Sequence, residues 1–198
     1  RGQHVDFSQQ EGVVQMVAPA LMDFLFNGRV AGPMGNRHPL GVAAPHGVYP
    51  CTGDDRWIAI GVESGDEWRA LVAAMGNPAW ALEPAFADLA RRVANQGALD
   101  ERLSDWTRGR DARELAGLLQ QRGIAATPVL SIPDLLTDPQ FKARETFVEL
   151  QHPLGFPETL YGAYVKTSGL ATPIRTGPVM GQDNEHVLRE LLGLTADR

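Results

Sequence analysis

Apolar positions recur along this chain with two different periods, and the change of period marks its elements. Val13, Val14, Val17, Ala20, Leu21, Phe24 and Leu25 fall on one broad face of a helix. Ser8 stands before it as a cap, with Glu11 three residues on to complete a capping box, and Gly28 follows its expected end near Asn27. Pro19 in its interior predicts a kink. The period then shortens: Val48 to Cys51 and Trp57 to Val62 are β-prone runs, and Thr52-Gly53-Asp54-Asp55 between them has the residues of a tight reversal, which predicts a hairpin.

Helical spacing returns after Ser64, where Ser64 and Glu67 form another capping box. Trp68, Leu71, Val72 and Met75 make one stripe that Gly76 ends. Glu83 to Val93, Asn95 to Thr107 and Asp111 to Arg122 read as three further helices, the last closed by Gly123. Ala125 to Leu130 reads as a short strand and Ser131 to Thr137 as a helical turn. Two strands are predicted at Phe147 to Gln151 and Ala163 to Thr167, and a last helix from Asn184 to Leu192. His4 to Phe7 reads as the end of a strand. The pattern predicts an α+β chain with a hairpin, several helices and a returning strand between residues 35 and 130.

Composition narrows the function. A chain of 198 residues with 43% hydrophobic and 21% charged residues has the make-up of a domain that buries its own core. The net charge is −6 and the lysines are two, Lys142 and Lys166, which argues against a nucleic-acid partner. Arg91-Arg92 reads as a solvated helix face. The single cysteine, Cys51, lies in a predicted strand and reads as a buried, inert thiol. No membrane span is visible, because Gln15, Pro19 and Asp23 break the stretch from Val13 to Phe26, and a cytoplasmic setting is the default.

The candidate chemistry gathers before and after the hairpin. Gly35 permits close backbone approach to a ligand, and Asn36, Arg37 and His38 offer donors to a carboxylate, a thioester carbonyl or a phosphate. The competing reading is a polar turn whose charges pair with neighbours. His46, between Pro45 and Gly47, either donates to a ligand or satisfies a backbone group. Glu63 emerges at a strand end beside a helix start, where it either exchanges a proton or complements the positive helix terminus. No His, Cys or carboxylate spacing suits a metal, no GxSxG is present, and Ser8, Ser64 and Ser131 read as helix caps. The four tryptophans, Trp57, Trp68, Trp80 and Trp106, read as core.

The order GNRHP, APHGVYPC and GDDRWIAIGVE, with RGQHVDFSQQE before it and DPQFKARETFVELQHPLG and GPVMGQDNEHVLRELLGL after it, resembles the family III CoA-transferases of the CaiB/BaiF type. That group includes formyl-CoA transferase, carnitine CoA-transferase and the α-methylacyl-CoA racemases. The resemblance implies the C-terminal half of such an enzyme. Residues 1–34 would be a connector helix, 35–130 a small α+β domain, and 131–198 a segment returning to a large Rossmann-like domain. It further implies that the aspartate carrying the acyl group lies upstream of RGQ, so that no catalytic residue is expected here. Gly35, Asn36, Arg37 and His38 would contact substrate over the cleft, with His46 and Glu63 as secondary candidates. Acyl-CoA and a carboxylate would be the substrates, with no covalently bound cofactor and no metal, in a homodimer. The alternatives are a racemase-like part, in which Glu63 lies near the acid/base pair, and a non-catalytic binding module.

Overall fold

The hairpin forms, and it carries the core of the first part of the chain. The computed structural model describes residues 2–169 and 172–195. By its internal contacts the chain divides into two units, residues 1–129 and 130–198. In the first, β1 (His46–Pro50) and β2 (Trp57–Gly61) pair antiparallel, and β3 (Ala125–Pro128) returns on the far side of β2. Strand alternation sends Tyr49, Ile58, Ile60 and Ala126 to one face, where they are buried. Three helices cover that face: α3 (Gly65–Ala74), α5 (Gln96–Thr107) and α6 (Ala112–Gln120), contributing Trp68, Leu71, Leu99, Leu103, Leu115 and Leu119.

The caps anticipated for these helices explain where they begin. The Ser64 hydroxyl accepts from the Glu67 N–H at 3.1 Å, and the Glu67 carboxylate accepts in return from the backbone of Ser64. Asp111 receives the N–H groups of Arg113 and Glu114, both at the start of α6. Between α3 and α5, the single helix expected over 83–93 is replaced by two 3₁₀ turns, Ala79–Leu82 and Pro84–Phe86, and by a short α4 (Leu89–Ala94). Asp88 caps α4 through the Arg91 N–H at 2.9 Å, so the helix starts there and not at Glu83.

The N-terminal helix is likewise divided. α1 (Gln9–Met16) and α2 (Ala18–Asn27) meet at Val17, and Pro19 sits in the first turn of α2, where its missing N–H is harmless. Their apolar residues, Val13, Leu25 and Phe26 among them, are exposed. Residues 4–7 form no strand among the described residues.

Two corrections concern the first unit's core. Arg92, expected on a solvated face, is 2% exposed. Its Nε donates to the Ala44 carbonyl at 2.8 Å and Nη1 to the Phe86 carbonyl at 3.4 Å, and the guanidinium lies 4.8 Å from the Trp68 ring centre. Burial pulls its basicity down and the Asp88 charge partly restores it. Trp57, expected in the core, is instead on the open face of the sheet at 38% exposure, its indole N–H donating to Asp55 at 2.7 Å.

In the second unit, α7 (Ile132–Thr137), α8 (Pro139–Ala143) and a hairpin of β4 (Phe147–Gln151) with β5 (Pro157–Tyr161) precede a π-helix at His186–Leu191. The second strand was expected at 163–167 and forms instead at Pro157–Tyr161. The shorter reversal wins because His152 and Phe156 close it, the Gly155 N–H reaching the His152 carbonyl at 2.8 Å. The chain then turns at Gly162, whose N–H meets the Thr146 carbonyl at 2.8 Å, and Tyr164 is left exposed. The last helix, expected as α over 184–192, is drawn into π geometry, with the Leu192 N–H bonding to Val187, five residues back.

Candidate active site: a cavity on the open face of the sheet

Helices bury one face of the three-stranded sheet, and the other face is lined by small side chains. Val48, Ala59 and Thr127 stand in register across the strands, as do His46, Gly61 and Ala125. Alanine and glycine on the central strand leave depth, and a cavity of about 760 Å³ lies over them. Its wall is completed by the loop residues Gly35, Asn36 and Arg37, by Glu63 at the end of β2, and by Gln120. Gln120 is fixed by donating to the Ala126 carbonyl at 2.7 Å.

The loop reaches this position through a left-handed residue. Gly35 has φ +64°, a conformation that side-chain-bearing residues resist. The Arg37 N–H then turns back to the Met34 carbonyl at 3.4 Å, and the Gly41 N–H to the His38 carbonyl at 3.0 Å. His46 Nδ1 lies 2.5 Å from the Asn36 carbonyl. A carbonyl only accepts, so Nδ1 carries the proton and Nε2 of the neutral ring is left as an acceptor. His38 is the opposite case: its Nδ1 accepts from the Leu40 N–H at 3.2 Å, which puts the proton of the neutral ring on Nε2. The two rings meet edge to face with centres 5.4 Å apart. A proton donor and a proton acceptor thus stand side by side at the mouth of the loop.

Five of the six residues singled out from the sequence, Gly35, Asn36, Arg37, His46 and Glu63, line this one cavity, and His38 stands behind them against His46. Glu63 is exposed, and its backbone N–H donates to the Glu67 carboxylate at 2.7 Å. Sequence reasoning missed the support on the other side of β1. The Tyr49 hydroxyl, 1% exposed, donates to Asp100 Oδ1 at 2.8 Å. Burial pushes the Asp100 carboxyl above the usual carboxylate range, while the Tyr49 bond and the nearby Arg37 charge pull it back. Burial together with Asp100 raises the Tyr49 phenol well above its ordinary value. Gly47 makes the arrangement possible, since a Cβ there would lie 2.8 Å from the Tyr49 hydroxyl oxygen. The available signal was a strand tyrosine aimed at the core, whose hydroxyl must find a partner. Among the described residues, no group of three His, Cys, Asp or Glu side chains is placed to hold a metal ion, and no helix is long and apolar enough to cross a membrane.

Comparison with known proteins decides the family. The model of CoA-transferase family III matches residues 1–184. The chain belongs to the family III CoA-transferases. It is 38% identical over 199 aligned positions to a probable CoA-transferase of Mycobacterium tuberculosis, covering 99% of this chain and 24% of that protein. It is 30% identical to succinyl-CoA–D-citramalate CoA-transferase of Chloroflexus aurantiacus, covering 100% of this chain and 48% of the relative. A crystal structure of a CaiB/BaiF family protein from Brucella suis superimposes with a TM-score of 0.81 at 26% identity, covering 96% of this chain and 48% of that one. The chain therefore spans between a quarter and a half of the length of these relatives.

Proposed function

We propose that this chain is the part of an acyl-CoA:carboxylate CoA-transferase that supplies the wall and the cover loop of the active site. The observation that carries the reading is the single cavity that joins Arg37 and Asn36 to a floor of Val48, Ala59 and Gly61. A planar guanidinium and an amide at the rim suit a carboxylate acceptor or the oxygen of a thioester, and the small apolar floor suits an acyl chain. His38, behind them, packs edge to face on His46 and supports the loop. A loop over the cleft also serves the chemistry, because an acyl-anhydride must be kept from water if transfer is to outrun hydrolysis.

On this reading the carboxylate that carries the acyl group belongs to a segment outside these 198 residues, as the family resemblance implies, and Glu63 on the cavity wall is a secondary candidate for substrate contact. Residues 1–34 and 131–198 are read as the segments that join this α+β part to a Rossmann-like large domain. The exposed apolar side chains of α1 and α2 are read as a surface covered within a homodimer. Sedimentation of the isolated chain tests the latter, and a strictly monomeric profile at high concentration counts against it.

Ala59→Leu tests the cavity itself. The larger side chain fills the floor without entering the buried face of the sheet. In the enzyme containing this chain, kcat/KM for acyl-CoA is expected to fall by about tenfold or more, with unfolding little changed. Unaltered kinetics would remove the acyl group from this cavity.

A further inference from the structure

α5 runs along β1 and grips it with polar side chains as well as with leucines. Gln96 donates to the His46 carbonyl at 3.3 Å, Asp100 accepts the Tyr49 hydroxyl at 2.8 Å, and Thr107 donates to the Pro50 carbonyl at 2.7 Å. Gln96 and Thr107 satisfy backbone carbonyls, as buried polar groups must. Asp100 does something else. It accepts one hydrogen bond from a buried tyrosine and presents its carboxyl group at the edge of a second cavity, of about 240 Å³, which it shares with Arg37, His46 and Ser104.

This second cavity lies behind the loop, and Gly35, Asn36 and Arg37 line both it and the larger one. Arg37 forms no direct ion pair among the described residues, and the charge that acts on the Asp100 carboxyl is that of Arg37. A carboxyl group that shares a cavity with a guanidinium without a direct ion pair leaves each of the guanidinium's donors free for a closer acceptor. An exposed arginine otherwise samples many rotamers, and holding it in one lowers the cost of binding an anion.

We propose that Asp100, clamped by Tyr49, is the positioning residue for Arg37. It draws the guanidinium back against the loop, where it meets an incoming carboxylate already oriented. The assignment of that carboxylate rests on the function proposed above, whereas the coupling of Asp100 to Arg37 does not.

Two variants separate charge from hydrogen bonding. Asp100→Asn keeps an oxygen for Tyr49 and removes the charge, while Tyr49→Phe keeps the charge and releases its clamp. In the 198-residue chain labelled with ¹⁵N arginine, the Arg37 Nε–H resonance, assigned by Arg37→Lys, should move and its order parameter fall in Asp100→Asn. A smaller change is expected in Tyr49→Phe and none in Asp105→Asn, an exposed acid on the same helix. An Arg37 signal indifferent to Asp100→Asn overturns the proposal without reference to any substrate.

In the enzyme containing this chain, Asp100→Asn should raise KM for the carboxylate acceptor about three- to thirtyfold with kcat little changed, and the effect should vanish in an Arg37→Ala background. An equal effect with and without Arg37 makes Asp100 merely structural and also overturns the proposal. If Arg37→Ala alone leaves both kcat and KM unchanged, the carboxylate-binding function fails, and the Arg37 resonance still decides the coupling.

Discussion

Replacing Arg92 by methionine should destabilise residues 1–129 far more than a surface arginine would. The side chain is 2% exposed and supplies donors to the carbonyls of Ala44 and Phe86, at 2.8 and 3.4 Å. Methionine fills a similar volume but leaves both acceptors without a partner. An acceptor left buried and unpaired costs about 1–3 kcal/mol, and the Phe86 contact is long enough to count at the low end. The stack on Trp68 adds about 0.5–2 kcal/mol. Against these stands the relief of no longer burying a guanidinium, which offsets part of the loss.

The net expectation is about 2–4 kcal/mol, or a melting temperature lower by roughly 6–12 °C. Arg92→Lys, which keeps one donor and the charge but not the flat face, should lose about half as much. All four tryptophans lie in residues 1–129, so fluorescence during urea or thermal unfolding follows this unit alone. Stability equal to or above that of the unaltered chain would refute the role given to the guanidinium. It would return Arg92 to the ordinary class of helix arginines.

Tyr49 carries a pH signature. Its phenol is raised in the fold above its ordinary value of 10.0. The fold thus keeps a proton that the unfolded chain releases above pH 10, and the stabilisation is complete below pH 10 and drains away as pH rises. The slope is about 1.4 kcal/mol per pH unit for one proton. Urea midpoints between pH 8 and 11 should therefore show Tyr49→Phe less stable at pH 8 and the gap closing above pH 10; parallel profiles would exclude a linked proton. Cys51 is 5% exposed, and burial, with the Asp111 charge, pushes its thiol up. A disulfide reagent at pH 8 should label it only at the rate of unfolding, and rapid stoichiometric labelling of the native chain would contradict its place in the core.

What the sequence revealed was chiefly local. The hairpin was legible because period-two runs flank Thr52-Gly53-Asp54-Asp55, and α3 and α6 because Ser64 and Asp111 cap them within three residues. The loop from Gly35 to Arg37 stood out by composition, and its neighbourhood with His46 and Glu63 followed from the hairpin that brings residues 46 and 61 into register. Features that depend on distant contacts were not legible. Arg92 reads as a surface cation until Ala44, 48 residues away, offers its carbonyl. Tyr49 and Asp100 are 51 residues apart, and nothing local to either announces the other. β5 was misplaced because Ala163 to Thr167 has strand composition, whereas pairing was decided by the shorter turn at His152–Phe156. Trp57 was assigned to the core because it begins an apolar run, although the alternation that buries Ile58 and Ile60 requires its outward position.

The most direct test of the proposed function is steady-state CoA transfer by the full-length transferase proposed above, with Arg37 intact and with Arg37→Ala. Arg37 is exposed and lies on the cavity wall, so its removal should leave unfolding almost unchanged. If the guanidinium orients the acceptor carboxylate or caps the developing oxyanion, kcat should fall by about ten- to a thousandfold, corresponding to roughly 1.4–4 kcal/mol. A variant that folds as well as the parent and transfers CoA at the parent's rate would contradict the assignment and leave the loop a polar turn beside an unused cavity.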